Sequence, residues 1–351
     1  MKAIVKPLIQ YAIDKAKRNK FVQNLFESPF DLNKFPKMGE FQDTQGHVHI
    51  LRDGLRSKIR PNWKRMLSSE KPLVNQEYLQ ELRSNGEIAV GKVAPIIQAL
   101  GKSITNSTVL EIGCHAGATS YSIADAGAMQ VVGTEFAGYK VEAVKTASED
   151  VEGRLVEVTD DLRVMREKLG QMFDKTENVR FVDDDICRSA LTPASFDLVF
   201  SWEVLEHLHD PEGAFLSISK LLKPGGVTVH EYNPFFCLNG GHSLCTLDML
   251  WGHTQLSDDD FNGYLDQWRP REKEKAFSFF TKGMNRMTIS DLQTQLRKSD
   301  LNVVSIIPFS KEQHLRMIDE AILTRTQALY PEATMLDLAS PRVYVVAQRG
   351  Q

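Results

Sequence analysis

The sequence predicts a doubly wound α/β fold built on a seven-stranded, mostly parallel sheet. From residue 108 onward, short runs rich in β-branched residues alternate with helical stretches, which is the pattern of βαβ units. The chain has 351 residues and 42% hydrophobic content, which is enough for one substantial core with additions. The predicted strands are Thr108–Ile112, Gln130–Thr134, Val179–Val182, Phe196–Phe200, Val227–His230, Leu301–Ile307 and Arg342–Ala347.

Residues 1–100 are predicted to form a basic, mainly helical extension. The first 70 residues contain 14 Lys and Arg against 7 Asp and Glu, whereas the whole chain has a net charge of −4. Apolar residues at helical spacing over Val5–Ala16 predict an amphipathic helix, which either packs on the protein itself or touches a membrane surface. Another helix is expected over Gln76–Leu100. The basic run Arg52–Arg65, which contains Trp63, is interpreted as a solvated loop or as a flap over a binding site.

Residues 101–351 are predicted to form the α/β domain, with insertions at about 136–178 and 232–287. Long insertions in a compact domain are usually functional. The first should contain a helix around Asp160–Met172, and a further helix over Gln313–Tyr330 would pack in a homodimer or cover the pocket. The second is rich in aromatic residues, which form either a lid that excludes water or a cluster that holds the long loop down. These residues are Phe235, Phe236, Trp251, Phe261, Tyr264, Trp268, Phe277, Phe279 and Phe280.

The strongest local signal is the segment Val109–Ser120, in which a buried strand runs into a turn with Gly113 and Gly117 and then into a helix. Glycine permits a positive φ and close backbone approach, so a ligand can lie against the main chain. The G-x-G-x-x-G pattern of dinucleotide enzymes is absent. Glu111, two residues before the first glycine, suits the ammonium group of an amino-acid ligand. The segment therefore predicts a binding site at the start of this helix.

Two further acidic signals follow the next strands. Glu135 ends the second strand, where a carboxylate accepts hydrogen bonds from ribose hydroxyls in nucleotide-binding folds. The third strand ends in the run 183–185 of three aspartates followed by Ile186. One of these aspartates would accept a hydrogen bond from an adenine amino group while Ile186 packs on the ring. An acidic loop without a ligand is the alternative for each of the three.

These spacings resemble the class I S-adenosylmethionine-dependent methyltransferases, in particular the ubiquinone-biosynthesis-like branch (methyltransferase type 11). In that family Phe-Asp-x-Val opens the fourth strand and Leu-Lys-Pro-Gly-Gly leads into the fifth, as in Phe196–Val199 and Leu222–Gly226 here. The family's aspartate lies eleven residues before that phenylalanine, which selects Asp185. The resemblance covers residues 108–231 and 288–348. Cys114 and His115 depart from it, because small residues are common at these positions.

The resemblance implies a Rossmann-like methyltransferase fold, S-adenosylmethionine as cofactor, and in-line transfer of a methyl group from a sulfonium to a nucleophile. Alignment of the two reactants is then the protein's main contribution. The residues expected to bind the cofactor are Glu111, Gly113, Cys114, His115, Gly117, Glu135, Phe136, Asp185, Ile186, Ser201 and Trp202.

The acceptor is expected beyond the carboxyl ends of the fourth and fifth strands. His207, His230 and His242 are the candidate catalytic bases, and a structural role is the alternative for each. The expected acceptor is a small organic molecule methylated on oxygen or nitrogen. Methylation of a thiol or thioether, and a scaffold that binds the cofactor without turnover, are the alternatives. The residues expected to contact the acceptor are Glu203, Tyr232, Asn233 and Phe235.

Metal and nucleic-acid sites are not favoured. Cys237, His242 and Cys245 lie close in sequence, but no fourth zinc ligand is evident, so no metal is predicted. The run 233–236 (Asn-Pro-Phe-Phe) is similar to the N-P-P-F motif of DNA amino-methyltransferases. That motif must follow the fourth strand, whereas here the run follows the fifth. The core also lacks a basic patch, so no nucleic-acid partner is predicted.

The pattern also argues against a membrane-spanning or exported chain. No run of about 18 apolar residues is present. Charged residues such as Lys6 and Asp14 interrupt the N-terminal apolar pattern, unlike in a signal peptide. The four cysteines include no C-x-x-C pair, so reduced thiols and a cytoplasmic location are predicted.

Overall fold

The structure, a computed structural model, describes residues 30–61, 63–64, 74–144 and 151–351. The predicted helix over Val5–Ala16 lies outside the described residues. The chain divides into two compact units, residues 1–37 and 38–351. In the first, the 3-10 turn Leu32–Lys34 begins at Asp31, whose side chain accepts a hydrogen bond from the Asn33 N–H at 3.0 Å. The domain boundary predicted near residue 100 falls inside the second unit.

The seven predicted strands form one sheet, in the order β5-β4-β3-β6-β7-β9-β8, which confirms the α/β prediction. Strand β9 runs antiparallel to its neighbours β7 and β8, and the other six strands of this sheet share one direction. Strands β1 and β2 form a separate two-stranded sheet. The strands are β1 (Lys37–Gln42), β2 (Val48–Arg52), β3 (Thr108–Ile112), β4 (Gln130–Glu135), β5 (Val179–Asp183), β6 (Phe196–Trp202), β7 (Leu222–Tyr232), β8 (Leu301–Pro308) and β9 (Val343–Arg349).

The helices connect these strands in the expected alternation. In the described residues the α-helices are α1 (Leu55–Ile59), α2 (Gln76–Ala99), α3 (Ala118–Asp125), α4 (Ala137–Val144), α5 (Val151–Gly170), α6 (Pro211–Leu221), α7 (His242–Cys245), α8 (Gly252–Gln255), α9 (Asp258–Trp268), α10 (Lys273–Lys282), α11 (Ile289–Lys298), α12 (Glu312–Met317), α13 (Glu320–Leu329) and α14 (Met335–Ala339). Short 3-10 turns lie at Thr176–Asn178, Ile186–Arg188, Leu205–His207 and Pro270–Glu272.

Two helix predictions differ from the structure. The helix expected around Asp160–Met172 is present but longer, because α5 already includes Val151. The single helix expected over Gln313–Tyr330 is wrong: α12 ends at Met317, and the side chain of Asp319 accepts from the N–H of Ile322 to begin α13. A new N-cap therefore separates two short helices.

The inner strands β3, β6, β7 and β9 are buried on both faces of the sheet, since successive strand residues point to opposite sides. Val109 packs in the core formed with α2 and α3, whereas Leu110 packs in the core formed with α6 and α11. The strands therefore read as nearly continuous apolar runs, and all five residues of β3 are buried. This packing places the carboxyl ends of β3, β4, β5, β6 and β7 at one edge of the sheet.

A second hydrophobic core lies in the 232–287 insertion and the segments packed against it. Of the nine aromatic residues named from the sequence, six are fully or almost fully buried. This burial fits the interpretation as a cluster that holds the long loop down. Phe261 and Phe280 stack at its centre, with ring centroids 4.0 Å apart. Phe41 and Leu51 of the β1–β2 hairpin belong to the same core. The hairpin, which lies in the extension predicted to be mainly helical, therefore packs with this insertion.

Candidate active site

The glycine turn after β3 has the backbone geometry that the sequence predicted. Gly113 and Gly117 have φ values of 70° and 81°. A Cβ at Gly113 would lie 2.4 Å from Cγ2 of Val204, and one at Gly117 would lie 2.3 Å from the ring of Phe181. Both positions therefore require glycine for conformation and for space. The turn leads directly into α3, whose first N–H groups have no partner within the helix.

Glu111 lies beneath this turn and is 4% exposed. Burial raises the pKa of Glu111 to about 7, although the hydrogen bond donated by the Ser120 hydroxyl acts in the opposite direction. The carboxyl group can therefore change its protonation state near neutral pH when a charged ligand binds beside it.

Glu135 ends β4 and lies next to the turn. Its Oε2 accepts from the N–H of His115 at 2.7 Å, and its Oε1 lies 2.8 Å from Nζ of Lys140. Burial acts to raise the pKa of Glu135, but Lys140 and His115 outweigh it and the pKa is lowered. A carboxylate can accept about four hydrogen bonds, so Glu135 retains capacity for ligand hydroxyls.

A side chain of the first insertion holds the turn from outside. Arg166, on α5, donates to the carbonyl of His115 at 2.9 Å and lies 3.4 Å from Sγ of Cys114. Its guanidinium also lies over the ring of Phe181, 4.3 Å from the centroid. Cys114 is buried, and burial raises the pKa of its thiol. The insertion thus supports the backbone of the predicted binding turn.

The aspartates after β5 have different partners. Asp183 accepts from the N–H of Ala137 at 3.1 Å, and Asp184 accepts from the N–H of Ala190 at 3.0 Å. Asp185 caps a 3-10 turn by accepting from Cys187 at 3.1 Å, and its other oxygen lies 3.0 Å from Nε of Arg188.

The remaining residues predicted to bind the cofactor lie at the same edge of the sheet. Ile186 directly follows Asp185 and is buried. The ring centroid of Phe136 lies 6.4 Å from that of His209. Ser201 and Trp202 end β6. The structure therefore brings the predicted cofactor residues together at the carboxyl ends of β3 to β6.

His230 pairs in register with Ser201, but its side chain points into the core and not into the site, with its ring centroid 6.3 Å from that of Phe215 on α6. It is fully buried, with Nδ1 2.7 Å from the hydroxyl of Ser201 and Nε2 2.6 Å from that of Thr228. Burial lowers the pKa of His230 to about 3. Both ring nitrogens are occupied by protein groups, so the structure separates His230 from the other two candidate histidines.

His207 and His242 do lie together, with ring centroids 4.9 Å apart. Nδ1 of His207 is 2.6 Å from the carbonyl oxygen of Gly283, which can only accept. Nδ1 therefore carries the proton, and Nε2 is the basic nitrogen of the neutral ring. The Tyr139 hydroxyl donates to the same carbonyl at 2.7 Å.

Glu206, which the sequence analysis did not select, lies between β6 and the two histidines. Its Oε1 accepts from the N–H of Asn233 at 3.2 Å and lies 3.9 Å from Nε2 of His242. Oε2 of Glu206 and Nε2 of His242 are buried and have no hydrogen-bond partner among the described residues.

Burial sets the charge of this pair. It raises the pKa of Glu206 to about 8, and the field of Glu203 adds to this effect. Burial also lowers the pKa of His242 well below its usual value, with further contributions from His207 and Arg60. At neutral pH the site therefore contains a mostly protonated carboxyl group beside a neutral imidazole.

The residues predicted to contact the acceptor are divided by the structure. Glu203 follows β6 with a φ of 53°, next to the cluster. Asn233 is buried, and its Oδ1 accepts from Nη2 of Arg60 at 3.0 Å. Tyr232 is buried in the sheet core and Phe235 in the second core. Glu203 and Asn233 therefore lie at the site, whereas Tyr232 and Phe235 are core residues that pack beneath it.

Two groups of side chains have metal-ligand spacing among the described residues. The ligand atoms of Glu206, His207 and His242 lie within 4.8 Å of one another, as do those of a second group, Asp185, Cys187 and His209. The first group could hold a divalent cation. Cys237 and Cys245, considered as zinc ligands from the sequence, belong to neither group. The absence of a metal stays a prediction.

Sequence reasoning missed four residues that shape the site. Glu206 immediately precedes His207, and this adjacency could have drawn attention to it. Arg60 lies in the basic run Arg52–Arg65, which the sequence indicated as a solvated loop or a flap over a binding site. Tyr139 and Arg166 had no comparable signal, because each reaches the site from a segment distant in sequence.

Comparisons with known proteins agree with this geometry. A family profile described as "Methyltransferase domain" matches residues 86–306. The mitochondrial ubiquinone biosynthesis O-methyltransferase of Dictyostelium discoideum is 30% identical over 119 residues, which cover 34% of this chain and 32% of that protein.

Solved structures show similarity at lower identity. An S-adenosylmethionine-dependent methyltransferase from Mesorhizobium loti is 16% identical, with a TM-score of 0.43, over 73% of this chain and 96% of its own. Phosphoethanolamine N-methyltransferase 2 of Haemonchus contortus is 18% identical, with a TM-score of 0.41, over 76% of this chain and 53% of its own. At these scores the similarities carry no argument about activity.

Proposed function

This chain belongs to the methyltransferase-domain family, with S-adenosylmethionine as methyl donor, and on that premise we propose that it methylates an oxygen or nitrogen atom of a small organic acceptor. One observation supports oxygen or nitrogen as the acceptor atom. A neutral histidine, His242, has a buried Nε2 without a described partner at the edge of the sheet where the acceptor is expected. A hydroxyl or a protonated amine needs such a base, whereas a thioether does not.

The cofactor site in this proposal consists of the glycine turn and the carboxyl ends of β3, β4 and β5. The positive φ of Gly113 and Gly117 turns the chain from β3 into α3, so that a ligand can lie against the backbone of the turn. Glu111 is the partner for an ammonium group, Glu135 for ribose hydroxyls and Asp185 for an adenine amino group. When bound, the cofactor supplies an electrophilic methyl group on a sulfonium.

The acceptor site consists of Glu203, Glu206, His207, Asn233 and His242. Nε2 of His242 takes the proton of the acceptor, and general-base catalysis of this kind contributes about 10²–10⁴-fold. The hydrogen bond to the carbonyl of Gly283 fixes the ring of His207, and this ring in turn limits the position of the His242 ring. Glu206 is buried and the two histidines are only partly buried, so a bound acceptor would complete the exclusion of water from the reacting atoms.

The first test is binding followed by transfer. Calorimetry should show micromolar binding of S-adenosylmethionine and S-adenosylhomocysteine, and none of NADH. Radiolabelled methyl transfer is then measured to a panel of phenols, amines and thiols. Transfer confined to thiols or thioethers would replace the proposal with S-methylation. Binding without transfer to any member would favour the scaffold alternative.

The second test is the variant His242→Asn. Asparagine tolerates the left-handed backbone of this position, where φ is 50°. We expect kcat to fall about 10²–10⁴-fold while the affinity for S-adenosylhomocysteine is unchanged. The exposed His47 provides the matched control His47→Asn, which should leave kcat unaltered. An undiminished kcat in His242→Asn would remove His242 as the base.

A further inference from the structure

Arg60 enters the acceptor site from the N-terminal side of the chain. It directly follows α1, and its guanidinium donates to the carbonyl of Asn239 from Nε at 3.2 Å and from Nη2 at 2.9 Å. Nη2 also donates to Oδ1 of Asn233 at 3.0 Å. These three bonds fix the plane of the guanidinium, and Nη1 donates to no described residue. The group therefore keeps two N–H donors for another partner.

The position of Arg60 is itself held by the element that carries His242. Arg56, one turn earlier, donates to the carbonyl of Ser243 at 2.7 Å, and Ser243 is part of α7. Arg56 also forms an ion pair with Glu272 at 3.0 Å. Arg60 at the end of α1 and His242 at the start of α7 thus belong to two helices that are joined by a hydrogen bond.

Arg60 has no carboxylate partner among the described residues. Within the part of the chain that the structure describes, no Asp or Glu oxygen lies within ion-pair distance of its guanidinium. Arg56 and Arg269, which are also buried, share Glu272. Glu203 and Glu206 act on Arg60 only through their field. A half-buried cation without a counter-charge is stabilised when an anion binds beside it.

The same cation is close enough to act on the acceptor site. Asn233 bridges it to the catalytic cluster, because the Asn233 N–H is bonded to Glu206 while its amide oxygen is bonded to Arg60.

We propose that Arg60, held by Asn233 and Asn239, binds a carboxylate or phosphate group of the acceptor, so that this enzyme methylates anionic molecules. The inference rests on the proposed function and names its substrate class. The guanidinium fork matches the two oxygens of either group. The anion would anchor the acceptor while its nucleophile lies at His242.

The test uses benzoate, phenyl phosphate and neutral benzamide, titrated by calorimetry into the full chain with and without S-adenosylhomocysteine. At least one anion should bind ten times more tightly than benzamide, and the preferred anion identifies the chemistry recognised. Arg60→Gln should weaken anion binding about 10–100-fold, which corresponds to loss of a charged hydrogen bond. Arg60→Lys should retain part of the affinity.

Controls separate this inference from the proposed function and from misfolding. Lys58→Gln, an exposed change on α1, should bind anions as the unaltered protein does. Arg60→Gln should still unfold in one cooperative transition and bind S-adenosylhomocysteine as the unaltered protein does. Cofactor binding without any preference for an anion would overturn the Arg60 proposal alone, as would equal anion binding in Arg60→Gln. Anion binding without cofactor binding would overturn the proposed function alone.

Discussion

Two buried carboxyl groups, Glu111 and Glu206, behave differently although burial raises the pKa of both. Glu111 receives the hydroxyl hydrogen bond of Ser120 and has a pKa of about 7. One oxygen of Glu206 has no described partner, and its pKa is about 8. A bound ammonium group would favour the ionised form of Glu111. Glu206 instead stays protonated beside His242.

Asp185→Ala tests the adenine contact. We expect the affinity for S-adenosylmethionine to fall by roughly 1–3 kcal/mol, the cost of leaving a buried polar group without its partner. Calorimetry measures this directly. The control is Arg188→Ala, which removes the ion pair of Asp185 and keeps its carboxylate. If Arg188→Ala weakened binding as much, Asp185 would act through the local fold and not through the cofactor.

The residues of the cofactor site were largely predictable, because each lies within a few positions of a strand end. Gly113, Gly117, Glu135 and Asp185 follow β3, β4 and β5 directly, so local pattern and strand order place them. The basic run that contains Arg60 was one candidate for a flap over a binding site, but the contact of Arg60 was not predictable. Arg60 binds Asn233, 173 positions away, and no periodicity indicates that contact.

At the scale of elements, the sheet was predicted well and the hairpin was missed. The inner strands of the sheet are buried on both faces and form strong apolar runs. The β1–β2 hairpin buries few apolar residues, and its turn depends on Asp43, which accepts from the N–H of His47 at 2.8 Å. Its remaining support is distant, since the N–H of Thr44 donates to Asp260 at 2.7 Å. A local pattern could not reveal this pairing.

Helix α5 acts on the glycine turn through Arg166, and Arg166→Ala isolates that action. We expect the affinity for S-adenosylhomocysteine to fall by about 0.5–1.5 kcal/mol, the typical contribution of a hydrogen bond. Arg163→Ala, an exposed change on the same helix whose side chain pairs with Glu167, is the matched control. Equal affinities in the two variants would show that the turn keeps its shape without the insertion.

At the scale of the whole molecule, stability should respond to pH through Glu206. Below about pH 4.5 Glu206 is protonated in both folded and unfolded states. Between 4.5 and about 8 the unfolded chain loses this proton while the folded chain keeps it, so the free energy of unfolding falls as pH rises. Above about 8 this dependence ends.

Glu206→Gln removes that titration. From pH 5 to 8, the free energy of unfolding of Glu206→Gln should rise relative to the unaltered protein by at most about 1.4 kcal/mol per pH unit. Urea unfolding at several pH values measures the difference. Glu87→Gln, an exposed control, should show no such trend. Parallel curves for Glu206→Gln and the unaltered protein would mean that Glu206 is ionised in the folded state.

The hairpin and α1 bind the insertion through Phe41, Leu51 and Arg56, and this shared packing has an evolutionary consequence. A descendant that lost the hairpin would leave apolar surface of the insertion in water, and one that lost the insertion would leave Phe41 and Leu51 uncovered. Either loss alone is penalised. The two segments must therefore be inherited together, although nearly 200 residues of sequence separate them.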